Sequence, residues 1–282
     1  MESSRVFVTG STGLLGNNLV RQLLDCGCAV RALARSRAKA ERQFADVPRG
    51  AAAGQLEIVE GDPANVAAFA SALRDGDVLC HTAAYFRDSY VGGSHRAGLE
   101  AINLDGTTTL FEAAYAAGIR RAVHTSSIAV LDGPAGSLVD ARDVAGAMIA
   151  AAAHGRRGER YLAAGRHMTM DDLLPALAKA TGVPAPTRCF PLALLFVITR
   201  VSEVAARLTR RPVLLSLATV RILSREHDRS RFDHARSQRE PGIKFRAVSE
   251  TLRDTADWFR TQGMIAARPS RADHTLPILE LS

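Results

Sequence analysis

Lysine is nearly absent from this chain: only Lys39, Lys179 and Lys244 stand among its 36 cationic residues, against 29 acidic ones. The net charge of +7 is therefore carried by arginines scattered along the whole length. Aromatic residues are sparse as well, at 5% with a single tryptophan. A nucleic-acid surface needs clustered cations interleaved with stacking rings, so no nucleic-acid partner is expected. Cysteine is scarce, and Cys26, Cys28, Cys80 and Cys189 show no framework spacing. That excludes a disulfide scaffold and a zinc site, so no metal is expected. Reduced packing cysteines suit a cytoplasmic protein. Long hydrophobic runs are also missing. The longest, Phe190 to Thr199, is half the roughly 20 residues a bilayer-spanning helix needs, so no membrane span is expected. Met1-Glu-Ser-Ser leads straight into a strand pattern, with no leader-like apolar stretch. Past Thr199 the pattern is amphipathic: Val201, Val204, Ala205 and Leu208 share one face, with Arg200, Glu203 and Arg207 elsewhere. Such a pattern predicts a helix packed onto the protein by its apolar face, the alternative being a helix lying on a membrane surface.

What is present is a regular alternation. With 282 residues, 47% of them apolar, the chain can bury one large core, or a core and a small lobe. Arg5 to Thr9 is a short apolar run ending in glycines, as a buried parallel strand does. Leu14 to Cys26 carries Leu15, Leu19, Leu23 and Leu24 at helical spacing. Strands follow at Ala29–Ala34, Leu56–Glu60, Asp77–Thr82 and Ala122–Ser126, with helices at Asn65–Arg74 and Asn103–Ala117. This rhythm predicts an α/β, Rossmann-type, doubly wound parallel sheet over residues 1–131. A turn at Asp132–Gly136 ends it. A reduced, mainly helical lobe is expected over 132–263, with a helix from Val144 to Ala153 and a strand at Arg160–Ala164. A further helix opens at Thr169, with Asp171 and Asp172 in its first turn. Residues 264–282, with Pro269 and Pro277 and no periodicity, read as a loose tail.

The segment Thr9-Gly-Ser-Thr-Gly-Leu-Leu-Gly16 lies between the first strand and the first helix. Glycines at 10, 13 and 16 allow a tight turn and let backbone N–H groups approach a pyrophosphate resting on the helix N-terminus. This points to a dinucleotide. An NAD site wants a carboxylate about 20 residues after the glycines, for the ribose 2′-hydroxyl. Here Arg31 to Arg37 contains none, and Arg35 lies one position past the expected acid. A guanidinium there can pair with a 2′-phosphate, so NADP(H) is expected rather than NAD(H).

Several motifs in order carry a family likeness: Thr9 to Gly16, Gly61-Asp62, His81-Thr-Ala-Ala84, Asn103 with Gly106-Thr107, and His124-Thr-Ser-Ser127. It continues through Val139-Asp-Ala-Arg-Asp-Val144 and Gly158-Glu-Arg-Tyr161 to Trp258. The chain resembles the extended short-chain dehydrogenase/reductases, the NAD-dependent epimerase/dehydratase family, most closely the dihydroflavonol-reductase-like branch. The resemblance implies an oxidoreductase moving a hydride between NADP(H) and a small-molecule carbinol or ketone, nucleotide-sugar-like or dihydroflavonol-like. It implies cofactor contacts from Thr9, Gly10, Thr12, Gly13, Leu14, Leu15 and Gly16, with Asp62 at the adenine. Ala83 and Ala84 would line the nicotinamide ribose, with Asn103 nearby, and Ser127 matches the catalytic serine.

One piece is missing. The family uses a tyrosine as acid/base with a lysine four residues later. A phenol near pKa 10 serves poorly at neutral pH without such a cation. Four residues after Tyr85, Tyr90, Tyr115 and Tyr161 stand Ser89, Ser94, Ile119 and Gly165. Only twelve positions separate Ser127 from Val139, where family members carry several dozen residues that hold this pair and a sixth strand. Impaired turnover is therefore expected, the alternative being a non-catalytic NADP(H)-binding sensor or partner protein. Loss of the strand would expose a sheet edge and favour a homodimer. His81 and His124 are expected to pack, and Asp140, Asp143, Asp171 and Asp172 to cap helices.

Overall fold

The computed structural model describes residues 1, 3–52, 54–85, 96–127, 137–186, 191–209, 220 and 233–265. The Asp132–Gly136 turn, Cys189, Tyr90 and the tail beyond residue 265 lie outside the described residues. Five short runs form one parallel sheet: β1 (Arg5–Thr9), β2 (Ala29–Ala34), β3 (Leu56–Glu60), β4 (Val78–His81) and β5 (Arg121–His124), in the order β3-β2-β1-β4-β5. Alternation along each strand sends side chains to two cores. Val6, Val8, Val30, Ala32, Val78 and Cys80 face one side; there they meet Leu19 and Leu23 of α1 (Leu14–Asp25), and Ala145, Met148 and Ala152 of α5 (Ala141–His154). Phe7, Leu33 and Leu79 face the other side, against Phe69, Leu73, Leu110 and Ile119. Phe7 and Phe69 stack with their ring centroids 6.0 Å apart. Helices on both faces of a parallel sheet make the Rossmann-type arrangement the sequence predicts.

Several local expectations are corrected. The predicted helix at Asn65–Arg74 is two 3₁₀ turns, Val66–Ala68 and Ala70–Leu73. Phe69, at φ −128° and ψ 7°, separates them, so Val66, Phe69 and Leu73 all reach the core without a continuous helix. Arg160–Ala164 is not a strand. Tyr161 is held instead by its hydroxyl, which accepts from the Arg156 N–H and donates to Glu240. The pairing falls later, where β6 (Ser137–Leu138) meets β7 (Arg166–His167) in antiparallel fashion. Helical structure before β5 begins at Arg96, in α3 (Arg96–Leu99). It passes through a π-helical stretch, Glu100–Gly106, into α4 (Thr107–Ala116). A short α2 (Arg37–Gln43), capped by Ser36, follows β2.

In the second half, α6 (Met170–Thr181) opens on a capping box in which Thr169 and Asp172 each accept from the other's backbone N–H. Further on come α7 (Leu192–Thr209), α8 (Ala235–Arg239) and α9 (Val248–Thr261). Charged groups lock α9 to the start of α5. The Asp140 carboxylate caps α5 at the Arg142 N–H and also accepts from the Arg142 guanidinium and the Thr251 hydroxyl, all within 2.9 Å. Asp143 accepts from the backbone and side chain of Arg246 at 2.8 and 2.7 Å, and Arg142 also pairs with Asp254 at 2.8 Å. Asp140 and Asp143 are thus bound into α5's start. The expectation for α7 is overturned. Leu194, Val197, Ile198, Val201 and Val204 are exposed, whereas Thr199 is buried. The helix packs through its Thr199 side, where the hydroxyl donates to the Leu195 carbonyl inside the helix.

Candidate functional site

The carboxyl ends of β1, β2, β3, β4 and β5 lie along one edge, because all five strands run parallel. Gly10–Gly16, Arg35, Asp62, Ala83–Ala84 and Ser127 each follow a different one of these ends. The strand order reverses between β1 and β4, where chain crossovers leave a crevice in open α/β sheets.

Three glycines shape the loop in two different ways. Gly10 adopts φ +68°, and a Cβ there would sit 2.7 Å from the Ala83 nitrogen. A Cβ at Gly16 would overlap the Gly10 carbonyl oxygen and lie 2.9 Å from the Ser11 Cα. Both are glycines because the turn itself requires it. Gly13 differs: it is exposed, and a Cβ would meet only the Gly10 oxygen, at 3.2 Å. Gly13 is also the N-cap of α1, with no side-chain cap and no acid in the first turn. The helix therefore starts with its N–H groups uncapped and its partial positive charge unopposed. Leu14 is exposed beside it, whereas Leu15 is half-buried.

Buried hydroxyls brace this loop from below. Ser11 Oγ donates to the Leu33 carbonyl at 2.7 Å, tying the loop to β2. Thr9 is fully buried, and its Oγ1 accepts from the Ala83 N–H at 3.2 Å while lying 2.6 Å from His81 Nδ1. The ring thus joins the two threonines, with His81 Nε2 lying 3.1 Å from Thr107 Oγ1. Burial, with His124 stacked 5.1 Å away, lowers the His81 pKa to about 4. His81 is therefore a neutral bracket between β1, β4 and α4, and Thr9 acts on the loop through backbone and bracing contacts. The Thr82 hydroxyl donates to the Thr9 carbonyl at 2.7 Å. The Asn103 amide accepts from and donates to the Tyr85 backbone at 2.6 and 2.8 Å, fixing the segment after Ala84. The sequence gives little sign of the His81 bracket, since Thr9 and His81 are far apart until β1 and β4 pair in register.

The arginines around β2 divide clearly. Arg31 binds Glu57 at 2.8 Å and the Ala72 carbonyl at 3.0 Å. Arg37 donates to the Ile58 carbonyl at 3.0 Å and lies near Glu60 and Glu41. Arg35 is exposed and has no ion pair among the described residues. Asp62 is exposed and accepts from the Ala64 N–H at 2.9 Å. Thr12 is half-buried, its carbonyl accepting from Gln43 at 3.4 Å.

Ser127 is exposed beyond the end of β5, which is the outer strand of the sheet. Arg121, Ala122 and His124 of β5 are exposed as well. Tyr161 is committed to Arg156 and Glu240, and Tyr115 lies at the far end of α4 under the Arg120 guanidinium. Among the described tyrosines, Tyr85 alone adjoins the crevice. A cavity of about 820 Å³ lies elsewhere, between β6, β7, α6 and α9, and none of the phosphate-loop residues lines it. Among the described residues no group of acidic, histidine or cysteine side chains could hold a metal, and no helix is long and apolar enough to cross a membrane.

Residues 6–137 match the sequence model of the NAD dependent epimerase/dehydratase family. The chain is similar to Sterol demethylase protein B of Methylococcus capsulatus, with 28% identity over 340 positions, covering 92% of this chain and 99% of that one. A Synechocystis protein named, provisionally, a dihydroflavonol 4-reductase is 25% identical over 352 positions, covering 92% and 95%. Both alignments are longer than the 282 residues of this chain, so each relative has residues for which this chain has no counterpart. The fold is shared with the crystal structure of yeast methylglyoxal/isovaleraldehyde reductase Gre2 complexed with NADPH. That match has a TM-score of 0.64 and 18% identity, and covers 93% of this chain and all of that one.

Proposed function

We propose that this chain, whose residues 6–137 match the NAD dependent epimerase/dehydratase family model, binds NADP(H) at the carboxyl edge of its sheet. The observation that carries this reading is Gly13: exposed, not required by the turn, and set on an uncapped helix N-terminus. Space left at such a point is what a pyrophosphate needs to reach backbone N–H groups. Arg35, unpaired among the described residues, is suited to the 2′-phosphate and favours NADP(H) over NAD(H). Asp62 would meet the adenine, Ala83 and Ala84 the nicotinamide ribose, and Asn103 would hold their segment in place. When bound, the nicotinamide ring supplies the hydride chemistry.

The reaction class we infer is reduction of a ketone, or its reverse. The names of the two relatives support a carbinol or ketone on a ring system rather than a nucleotide sugar. Ser127 would orient the oxygen of the reacting carbon. Proton transfer is where this chain falls short, because no described tyrosine has a lysine partner and Tyr161 is held in another network. Losing a positioned proton donor costs roughly 10²- to 10⁴-fold in rate. We therefore infer weak turnover, with cofactor binding intact. The absent Tyr/Lys pair also supports a second reading, a nucleotide-binding sensor or partner without turnover. We further propose residues 1–131 as the nucleotide-binding domain, 132–263 as a reduced substrate-side lobe, a cytoplasmic location, and self-association through the unpaired β5 edge.

The test is a fluorescence titration with NADPH and NADH, followed by an NADPH-oxidation assay across a panel of ring ketones. Tight NADPH binding with slow, measurable reduction supports the oxidoreductase. Binding without any reduction supports the second reading. Failure to bind either nucleotide removes both.

A further inference from the structure

The outward face of α7 has no role in the nucleotide site. Leu194, Val197, Ile198, Val201 and Val204 are 43–64% exposed. At 100° per residue they occupy one arc roughly 120° wide, as broad as the stripe by which surface helices normally bind their own core. Here that stripe points away from the core, because Thr199 on the opposite side is the buried residue. The helix is 18 residues long, or about 27 Å at 1.5 Å per residue.

Charge decides what fits this face. Arg200 is exposed on the flank of the arc, beside Val204. From Arg200 to Arg211 the sequence has four arginines (Arg200, Arg207, Arg210 and Arg211) and one acid, Glu203. The chain as a whole carries +7. Two copies meeting through this face would bring together two chains that each carry Arg200 at its margin and a net positive charge, so like charges oppose self-association here. An anionic lipid surface offers the complement: acyl chains for the apolar arc and phosphate or carboxylate headgroups for Arg200. One-sided amphipathicity with a cationic margin is the pattern of a helix lying in the interface plane. It is not the pattern of a span, and no described helix qualifies as one.

We propose that α7 docks the protein peripherally on anionic membrane surfaces, its Leu194–Val204 arc in the headgroup–acyl boundary and Arg200 at the lipid charge. The inference is independent of the nucleotide-site reading.

The test is co-sedimentation of the full chain with vesicles of phosphatidylcholine alone or with about 30% phosphatidylserine. The protein should pellet with the anionic vesicles at low salt and largely release in 0.5 M salt, since screening is then nearly complete within about 4 Å. Val197→Glu/Val201→Glu should reduce partitioning by on the order of tenfold or more. Arg200→Glu should reduce it about fivefold or more. Both valines are exposed, so circular dichroism should show unchanged helix content. If the glutamate pair does not fold, Val197→Ser/Val201→Ser carries the same expectation. No pelleting of the wild-type chain with anionic vesicles would overturn the proposal, as would pelleting that the valine variants leave unchanged. A wild-type dimer that the valine variants dissociate, without vesicle binding, would instead assign the face to a second copy and also overturn it.

Discussion

Gly13 and Gly16 lie three residues apart, and substitutions at them should fail in opposite ways. An alanine methyl at Gly16 would overlap the Gly10 carbonyl oxygen and approach backbone atoms of Gly10 and Ser11 at 2.7 and 2.9 Å. No flexible side chain can yield there, so the loop and the start of α1 must move. Overpacking of that kind costs about 1–3 kcal/mol. For a chain of this size each kcal/mol lowers Tm by about 2–4 °C, so Gly16→Ala should melt roughly 2–12 °C lower. At Gly13 the added Cβ meets a single atom at 3.2 Å, and the residue is exposed. Replacing a glycine N-cap by a poorer one costs about 1 kcal/mol or less. Gly13→Val should therefore fold with nearly unchanged Tm, yet its side chain fills the approach to the helix N-terminus. A hydrogen bond to a charged group contributes about 1.5–3 kcal/mol, so losing even one phosphate contact weakens binding roughly tenfold to hundredfold. The assays are thermal unfolding by circular dichroism and NADPH titration by fluorescence, on both variants. If Gly13→Val destabilises as much as Gly16→Ala, or binds NADPH as the wild type does, the division between turn glycines and ligand glycine is wrong.

Three further outcomes follow from the same contacts. Burial and the nearby His124 lower the His81 pKa to about 4, so the unfolded chain binds the extra proton first. Stability in urea should decline as pH falls from about 6.5 to 4, by about 3 kcal/mol from this group, and His81→Asn should flatten that limb. The Arg142 guanidinium holds the Asp140 carboxyl far below the usual carboxylate range, so its contribution is complete above about pH 4 and lost as pH falls further. Asp140→Ala leaves Arg142 and Thr251 without their acceptor and should cost about 3–5 kcal/mol in urea unfolding at pH 7. Arg35→Asp should weaken NADPH binding roughly tenfold to hundredfold by removing charge-assisted bonds while leaving or improving NADH binding; an unchanged NADPH:NADH ratio in paired titrations would remove Arg35 from the site.

The elements that could be read from residues alone are those whose signal is local. Ala29–Ala34 and Leu56–Glu60 are short apolar runs bounded by turn residues, and both strands have the predicted limits. Thr169 with Asp172 marks a helix start because a capping box needs only four residues. Spacing misled where two structures share it. Val66, Phe69 and Leu73 are three and four apart, which suits an α-helix and equally suits two 3₁₀ turns broken at Phe69. In α7 the periodicity located an amphipathic helix and could not say which face would find a partner. The glycine loop was legible for the same local reason. Its supports were not: Thr9 meets His81 only after strand pairing, and Asp140 meets Thr251 only after α9 docks.

The distribution of those supports bears on what the absent block takes away. The hydrogen-bonded braces of the glycine loop and of the segment after β4 described above join residues before the end of β5. Ser11 is tied to Leu33, Thr9 to His81 and Ala83, His81 to Thr107, and Asn103 to Tyr85. None of these contacts draws on residues past Ser127, so the crevice is organised without the sixth strand or the Tyr/Lys helix. Ser127 is in the opposite position. It follows β5, the outer strand, on whose free side no further strand lies among the described residues. On the reading proposed above, binding and proton transfer would draw on different parts of the sheet, and the missing block would affect the second. A protein built this way should hold NADPH at an ordered site while its reacting edge stays open to water. On that reading, a single tyrosine or lysine introduced at the crevice should leave NADPH oxidation unchanged, because the family's chemistry needs both residues on a strand and helix that this chain lacks; a large gain from one substitution would refute it.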